Sequence, residues 1–153
     1  MALGTATDEG TGTVESAGRD WAYRAVNVGN PQCVIEAGAE LEQLDLAAIG
    51  PAIESNTELF ANRTNVSFIR IEGSRVRVRI FERGVGETLA SGTGASGAAV
   101  AAFLRGSVSP ITVELDGGEL TVEITDDLDL TLIGTASRVY AGEFDDGFLE
   151  GLA

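Results

Sequence analysis

The sequence predicts an α+β domain: a mainly antiparallel sheet curled around one buried central helix, with a second helix on the outside. Three observations carry this. Gly94 to Leu104 is apolar nearly all round, the mark of a helix enclosed by other structure. Most of the remaining chain falls into short alternating runs separated by Gly, Asp and Asn turn signals, the pattern of hairpins. A single amphipathic segment after Asp45 supplies the outer helix. At 153 residues the chain fits one ordinary domain.

Taken in order, residues 1–11 are Gly, Thr, Ala and acid without apolar periodicity, and read as a loose lead-in that adds little to the core. The domain then spans residues 12–144. Thr11 to Ser16 and Trp21 to Val28 form a hairpin around Ala17-Gly18-Arg19-Asp20, and Gln32 to Glu36 is a short strand. Asp45 caps a helix that buries Leu46, Ile49 and Ile53, is interrupted at Gly50-Pro51 and ends near Ser55-Asn56. Val66 to Ile71 and Arg75 to Glu82 pair around Glu72-Gly73-Ser74. In the second strand Val76, Val78 and Ile80 face the core, while Arg75, Arg77 and Arg79 lie on a solvated face. After the central helix come strands at Ile111–Leu115, Leu120–Ile124, Leu128–Ile133 and Ala136–Phe144, with Asp116-Gly117-Gly118 as a turn. Residues 145–153 read as an acidic tail.

Composition excludes several functions. A net charge of −14 disfavours nucleic acid and anionic membranes, both of which call for a basic patch. The longest apolar run, Ala98 to Leu104, is far short of the roughly 20 residues needed to span a bilayer. The start has neither a basic region nor an apolar core of a secretory signal, and a single cysteine forms no internal disulfide, so a cytoplasmic protein is expected. The chain lacks both His and Lys, which removes imidazole bases and Schiff-base or phosphate-loop lysines. With no second Cys, no metal site is expected either. Cys33, in the apolar run Cys33-Val34-Ile35, reads as inert core.

The most informative segment runs from Phe81 to Gly97. A charged pair, Glu82-Arg83, ends a strand, a glycine-rich turn follows, and Ser91-Gly92-Thr93-Gly94 opens the central helix. Free N–H groups at such a start, with the positive end of the helix dipole behind them, suit a carboxylate or phosphate. Gly92-x-Gly94-x-x-Gly97 matches a dinucleotide fingerprint as a string, but Glu87-Thr88-Leu89-Ala90 before it is no apolar strand and no βαβ unit surrounds it. A dinucleotide site is therefore rejected, and no cofactor is implied. Ser91 by itself reads as a helix N-cap, and Glu82 with Arg83 as a strand-end ion pair.

Three ordered segments carry a resemblance. Glu82-Arg83-Gly84-Val85-Gly86-Glu87-Thr88 followed by Ser91-Gly92-Thr93-Gly94-Ala95 resembles the C-terminal half of diaminopimelate epimerase, a cofactor-independent amino-acid epimerase. Val28-Gly29-Asn30-Pro31-Gln32 resembles that family's Gly-Asn-Pro-His segment, and Arg63-Thr64-Asn65-Val66-Ser67-Phe68 its Arg-x-Asn-x-x-Phe segment. The resemblance implies a half-domain in which the strands close into a barrel on the central helix. It implies interconversion of LL- and meso-diaminopimelate by a base and an acid on opposite faces of Cα, one from each half of the enzyme.

By the same resemblance, Ser91 and Glu82 are the catalytic candidates. Asn30, Asn65, Glu82, Arg83, Gly92 and Thr93 are the substrate-binding ones: Gly92 and Thr93 give N–H groups to the α-carboxylate, and Asn30 and Asn65 hold the distal amino-acid group. The chain departs from the pattern at Ser91, where the family has a catalytic cysteine, and at Gln32, where it has histidine. The family's N-terminal half is absent from it. The expected partners are thus a diaminopimelate-like amino acid and either the missing half-domain or a second copy in a homodimer, and the isolated Ser91 form is expected to be inactive. Two other functions fit the residues: a non-catalytic amino-acid-binding or assembly domain, and a lyase-like relative that needs one base.

Overall fold

The computed structural model describes residues 1–145, 147, 148 and 151. Its elements are β1 (Ala2–Thr5), β2 (Thr7–Ser16), β3 (Arg19–Asn27), β4 (Pro31–Glu36), a short 3-10 helix (Gly38–Gln43), α1 (Leu46–Glu54), β5 (Asn65–Glu72), β6 (Arg75–Glu82), β7 (Gly86–Thr88), α2 (Gly92–Phe103), β8 (Ile111–Leu115), β9 (Gly118–Ile124) and β10 (Asp129–Ile133). Helices and strands form one α+β unit, as the sequence pattern predicts.

All ten strands belong to one sheet, ordered β1-β10-β9-β8-β6-β5-β4-β3-β2, with β7 paired to β6 alongside that path. Seven of the nine described pairings are antiparallel, and β4–β5 and β6–β8 are parallel. The expected barrel is not closed: β1 and β2 are the two ends of the ladder and do not pair with each other. They are nevertheless consecutive in the chain, separated by Ala6 alone, so the curl brings the two ends to one corner.

α2 lies inside the curl and touches β3, β4, β5, β6, β8, β9 and β10. Every residue from Gly94 to Ala102 is buried. Small residues are what let the strands come this close: a Cβ built on Gly94 would sit 2.6 Å from Ile80 Cδ1, and one on Gly97 2.8 Å from Gln32 Cγ. Ala99→Leu or Ala102→Leu is therefore expected to overpack the interior and cost about 1–3 kcal/mol, read from the urea midpoint. An unchanged midpoint in both variants would count against this packing.

The strands β3 to β6 are covered on their other face as well. Val34, Ile69, Val76, Val78 and Ile80 point to α2, while Trp21, Cys33, Ile35, Val66 and Phe68 join Leu41, Leu46, Ile49 and Ile53 in a second core beneath α1. The alternation along each strand divides the two cores. Cys33 lies in the second, fully buried, and burial pushes its thiol pKa up, which keeps it protonated and unreactive.

Several expectations are corrected. Residues 1–11 are not a loose lead-in: they form β1 and the first half of β2, with Leu3 packed on the inner core and Ala6 buried. Their apolar signal is weak because these end strands bury only isolated residues. Gly50-Pro51 does not interrupt α1; Pro51 sits within the helix, which Asp45 caps by accepting from Ala48 N. Ala136–Phe144 is not a strand: no sheet partner is present for it among the described residues, and Val139, Tyr140 and Phe144 are exposed. Most of the expected acidic tail, 145–153, lies outside the described residues.

The arginine face of β6 is only partly solvated. Arg75 is exposed, but Arg77 and Arg79 keep 13% and 15% of their side-chain exposure. Arg77 bonds Glu42 and Asp116, and Arg79 bonds Glu87 and the carbonyls of Leu41 and Leu44. These arginines clamp the 3-10 segment onto the sheet. The hydrogen bond from Arg77 holds the Glu42 carboxyl below its ordinary range.

Candidate functional site

Three loops and one helix start meet at a single rim of the sheet. The β3–β4 turn carries Asn30, the start of β5 carries Asn65, the end of β6 carries Glu82 and Arg83, and α2 begins at Ser91. Gln32 and Asn65 are register neighbours across the parallel pair β4–β5, which ties the first two together.

The chain reaches Asn65 through an unusual backbone. Arg63 holds φ +59°, a left-handed conformation uncommon for a side-chain-bearing residue, and its guanidinium bonds the buried Glu54 carboxylate at 2.6 Å. This fixes the entry to β5. Asn65 Oδ1 then accepts from Arg83 N at 2.8 Å, and Arg83 Nη1 donates to Asn62 O at 2.6 Å. The resulting cross-link joins the β5 entry to the β6 exit.

Beyond Arg83 the chain turns through Gly84 and Gly86, both at positive φ, into β7. Thr88 Oγ1 donates to Glu82 Oε1 at 2.6 Å, so the Glu82 carboxylate is held within its own hairpin. Leu89 O accepts from Gly117 N at 2.7 Å, which pins the approach to α2 against the β8–β9 turn.

Ser91 caps α2 in extended conformation: its Oγ accepts from Gly94 N at 3.2 Å and its carbonyl from Ala95 N at 2.9 Å. The N–H groups of Gly92 and Thr93 come before the first intrahelical donor, Ala95 N, and so have no acceptor within the helix. Asn30 Nδ2 donates to Thr93 Oγ1 at 3.3 Å, and Gln32 Nε2 donates to Asn30 Oδ1 at 2.6 Å. The helix start, with the neutral amides of Asn30 and Gln32 beside it, is the kind of arrangement that suits an anion.

Of the residues singled out in the sequence, Asn30 and Thr93 are in direct contact, as are Asn65 and Arg83. Ser91, Gly92 and Thr93 share the helix start. Glu82 bonds Thr88, and the Arg83 guanidinium bonds a backbone carbonyl. Gln32 and Thr88 lie within the motif segments, but the sequence assigns them no site role, and the structure joins them to Asn30 and Glu82. Strand parity indicates that Gln32 faces α2, since Gln32 and Val34 alternate with Cys33 and Ile35. A cleft of about 280 Å³ opens elsewhere, between β2, β3 and the Leu59–Arg63 loop, and Ser91 does not line it. No helix among the described residues is long and apolar enough to cross a membrane.

Comparison with known proteins matches the sequence to a family. Residues 24–139 match the family described as diaminopimelate epimerase. The diaminopimelate epimerase of Synechococcus sp. strain JA-3-3Ab is 43% identical over 134 residues, covering 84% of this chain and 47% of that protein. That of Methanococcus maripaludis is 40% identical over 136 residues, covering 86% and 48%. The chain spans about half the length of these curated relatives. A solved structure described as a predicted epimerase from Pseudomonas aeruginosa superposes with a TM-score of 0.58 at 16% identity, covering 92% of this chain and 58% of that one, a likeness of fold. The match over more than half of its residues shows that the chain belongs to the diaminopimelate epimerase family.

Proposed function

We propose that this chain forms one side of the substrate site of a diaminopimelate epimerase, with Ser91 at one of two acid–base positions, and that it is inactive in isolation. The observation that carries the reading is the α2 start, where Ser91, the free N–H groups of Gly92 and Thr93, and the Asn30 amide converge. In this reading the N–H pair receives the α-carboxylate, and the Cα proton faces Ser91. As the proton leaves, negative charge grows on the carboxylate, and the helix start stabilises it without moving. No cofactor enters. A second base on the opposite face is still required to return the proton with inversion.

The test is deuterium wash-in at Cα in heavy water, with the N-terminal half supplied in trans. Exchange with inversion supports an epimerase. Loss of water from substrate would point to the lyase, and binding without exchange to the amino-acid-binding domain.

In the same reading the rim faces a partner, either the other half or a second copy. Val85 and Leu89 in the Arg83–Ala90 loop are 75% and 67% exposed. An isologous homodimer is the expected substitute for the missing half. Because a net charge of −14 opposes close approach, association should strengthen as salt screens it. Light scattering across a salt series checks this, and a strict monomer at high salt and high concentration would defeat it.

A further inference from the structure

We propose that Gln32 is a positioning residue: it sets which way the Asn30 amide faces and thereby makes the Thr93 hydroxyl a hydrogen-bond donor at the start of α2. The inference rests on reading that helix start as a carboxylate site.

The chain of contacts runs Gln32 Nε2 to Asn30 Oδ1 at 2.6 Å, then Asn30 Nδ2 to Thr93 Oγ1 at 3.3 Å. A primary amide in the middle of such a chain can face either way, and each way gives a connected network. The two differ at the far end. With Asn30 as donor, Thr93 Oγ1 accepts, and its hydrogen is free to point to an anion lying on the Gly92 and Thr93 N–H groups. With Asn30 reversed, the Thr93 hydrogen is used on Asn30 and only lone pairs face the anion. The group at the near end selects between them, and here that group is the Gln32 amide nitrogen.

Two features hold Gln32 to this task. Its side chain is 1% exposed and runs against α2 at Gly97, where any Cβ would lie 2.8 Å from Gln32 Cγ and 2.9 Å from Gln32 Cβ. Glycine at that helix position leaves the space the amide needs. In addition, Gln32 Oε1 is buried without a hydrogen-bond partner among the described residues. An orphaned buried acceptor is destabilising, and an apolar side chain of the same size would avoid it. Reversing the Gln32 amide would put its NH₂ at that buried position with no acceptor, and an orphaned buried N–H is rarer than an orphaned carbonyl, which favours the nitrogen toward Asn30.

Nuclear magnetic resonance on the chain as it stands tests this. The wild type should show a contact between the Asn30 side-chain NH₂ and the Thr93 methyl. Gln32→Met keeps the volume but removes the donor, and should lose that contact and move the Asn30 side-chain NH₂ signals toward those of a solvent-exposed amide. Gln32→His returns a ring N–H and should restore it. Val34→Ala, at the next inward position of β4, should weaken packing and leave the Asn30 signals in place. The inference is overturned if Gln32→Met leaves Asn30 unchanged, if Val34→Ala moves Asn30 equally, or if the wild type lacks the contact. Should Gln32→Met fail to fold, the wild-type contact and Gln32→His decide the matter. None of these readouts needs turnover, so failure of heavy-water exchange would remove the functional reading and leave this orientation standing.

Discussion

Ser91→Cys in the isolated chain is expected to give no epimerisation, whereas the same variant with an N-terminal half supplied is expected to exchange the Cα proton about 10²–10⁴-fold faster than the Ser91 form. The reason lies in the base. A thiol begins near pKa 8.5, and a helix start lowers it into the range where thiolate is present at neutral pH. A hydroxyl at the same place gains from the same dipole but starts far too high to hold a useful population of the anion. The backbone is ready for the change, because Ser91 is extended and its side chain accepts a hydrogen bond from the Gly94 N–H. Heavy-water exchange followed by mass spectrometry reads both arms. Turnover by Ser91→Cys alone would reveal a second base within this chain. Equal rates for the completed enzyme with Ser91 and with the Ser91→Cys substitution would place the base elsewhere.

The largest loss of stability is expected for Phe68→Ala, at about 3–5 kcal/mol. Phe68 is completely buried in the outer core and meets Trp21 edge-on, with ring centroids 5.6 Å apart. Its strand, β5, is covered on both faces, so no neighbour can collapse into the gap without disturbing one core or the other. Domains of this size commonly hold about 5–15 kcal/mol in total, and the variant would stand close to unfolding. Urea denaturation measures the effect. A loss below about 1 kcal/mol would mean that α1 contributes little to holding β4 and β5, the strands that carry Gln32 and Asn65.

How legible these features are in the sequence follows from the physics of each. The Gly94–Leu104 segment announces a buried helix because nothing polar interrupts it, and Asp45 announces a cap because its oxygen meets Ala48 N. Leu3 and Ala6 give no such notice: a strand that buries one small residue leaves no period to detect. Ala136–Phe144 errs the opposite way, since alternation shows that a segment can lie in a sheet and not that a neighbour is at hand. At the site, the glycine-rich turn and the Ser91 cap are local and therefore readable. The Asn65–Arg83 and Asn30–Thr93 bonds join residues 18 and 63 positions apart, and only the register of β4, β5 and β6 brings them within reach. The burial of Arg77 and Arg79 likewise depends on carboxylates and carbonyls from distant turns.

The corner at Ala6 bears on how the domain assembles and breathes. β1 pairs with β10 at the far end of the chain, with Ala2 opposite Thr131 and Thr5 opposite Asp129, 124 positions away. β2, one residue later, runs beside its hairpin partner β3. The hairpin is local and forms early at small entropic cost. The clasp made by β1 has to wait until nearly the whole chain is in place, because a loop of that length must close before its few bonds reward it. Four mostly exposed residues then hold the last seam, so the clasp belongs to the low end of the local-unfolding scale and lets go well before the strands around α2 do. Release of β1 would free one end of the sheet, with Ala6, held to Leu128 O at 2.8 Å, as the hinge where fraying stops. Backbone amide exchange would then report two populations in this one sheet, fast at the β1–β10 seam and slow where β4, β5 and β6 present the site.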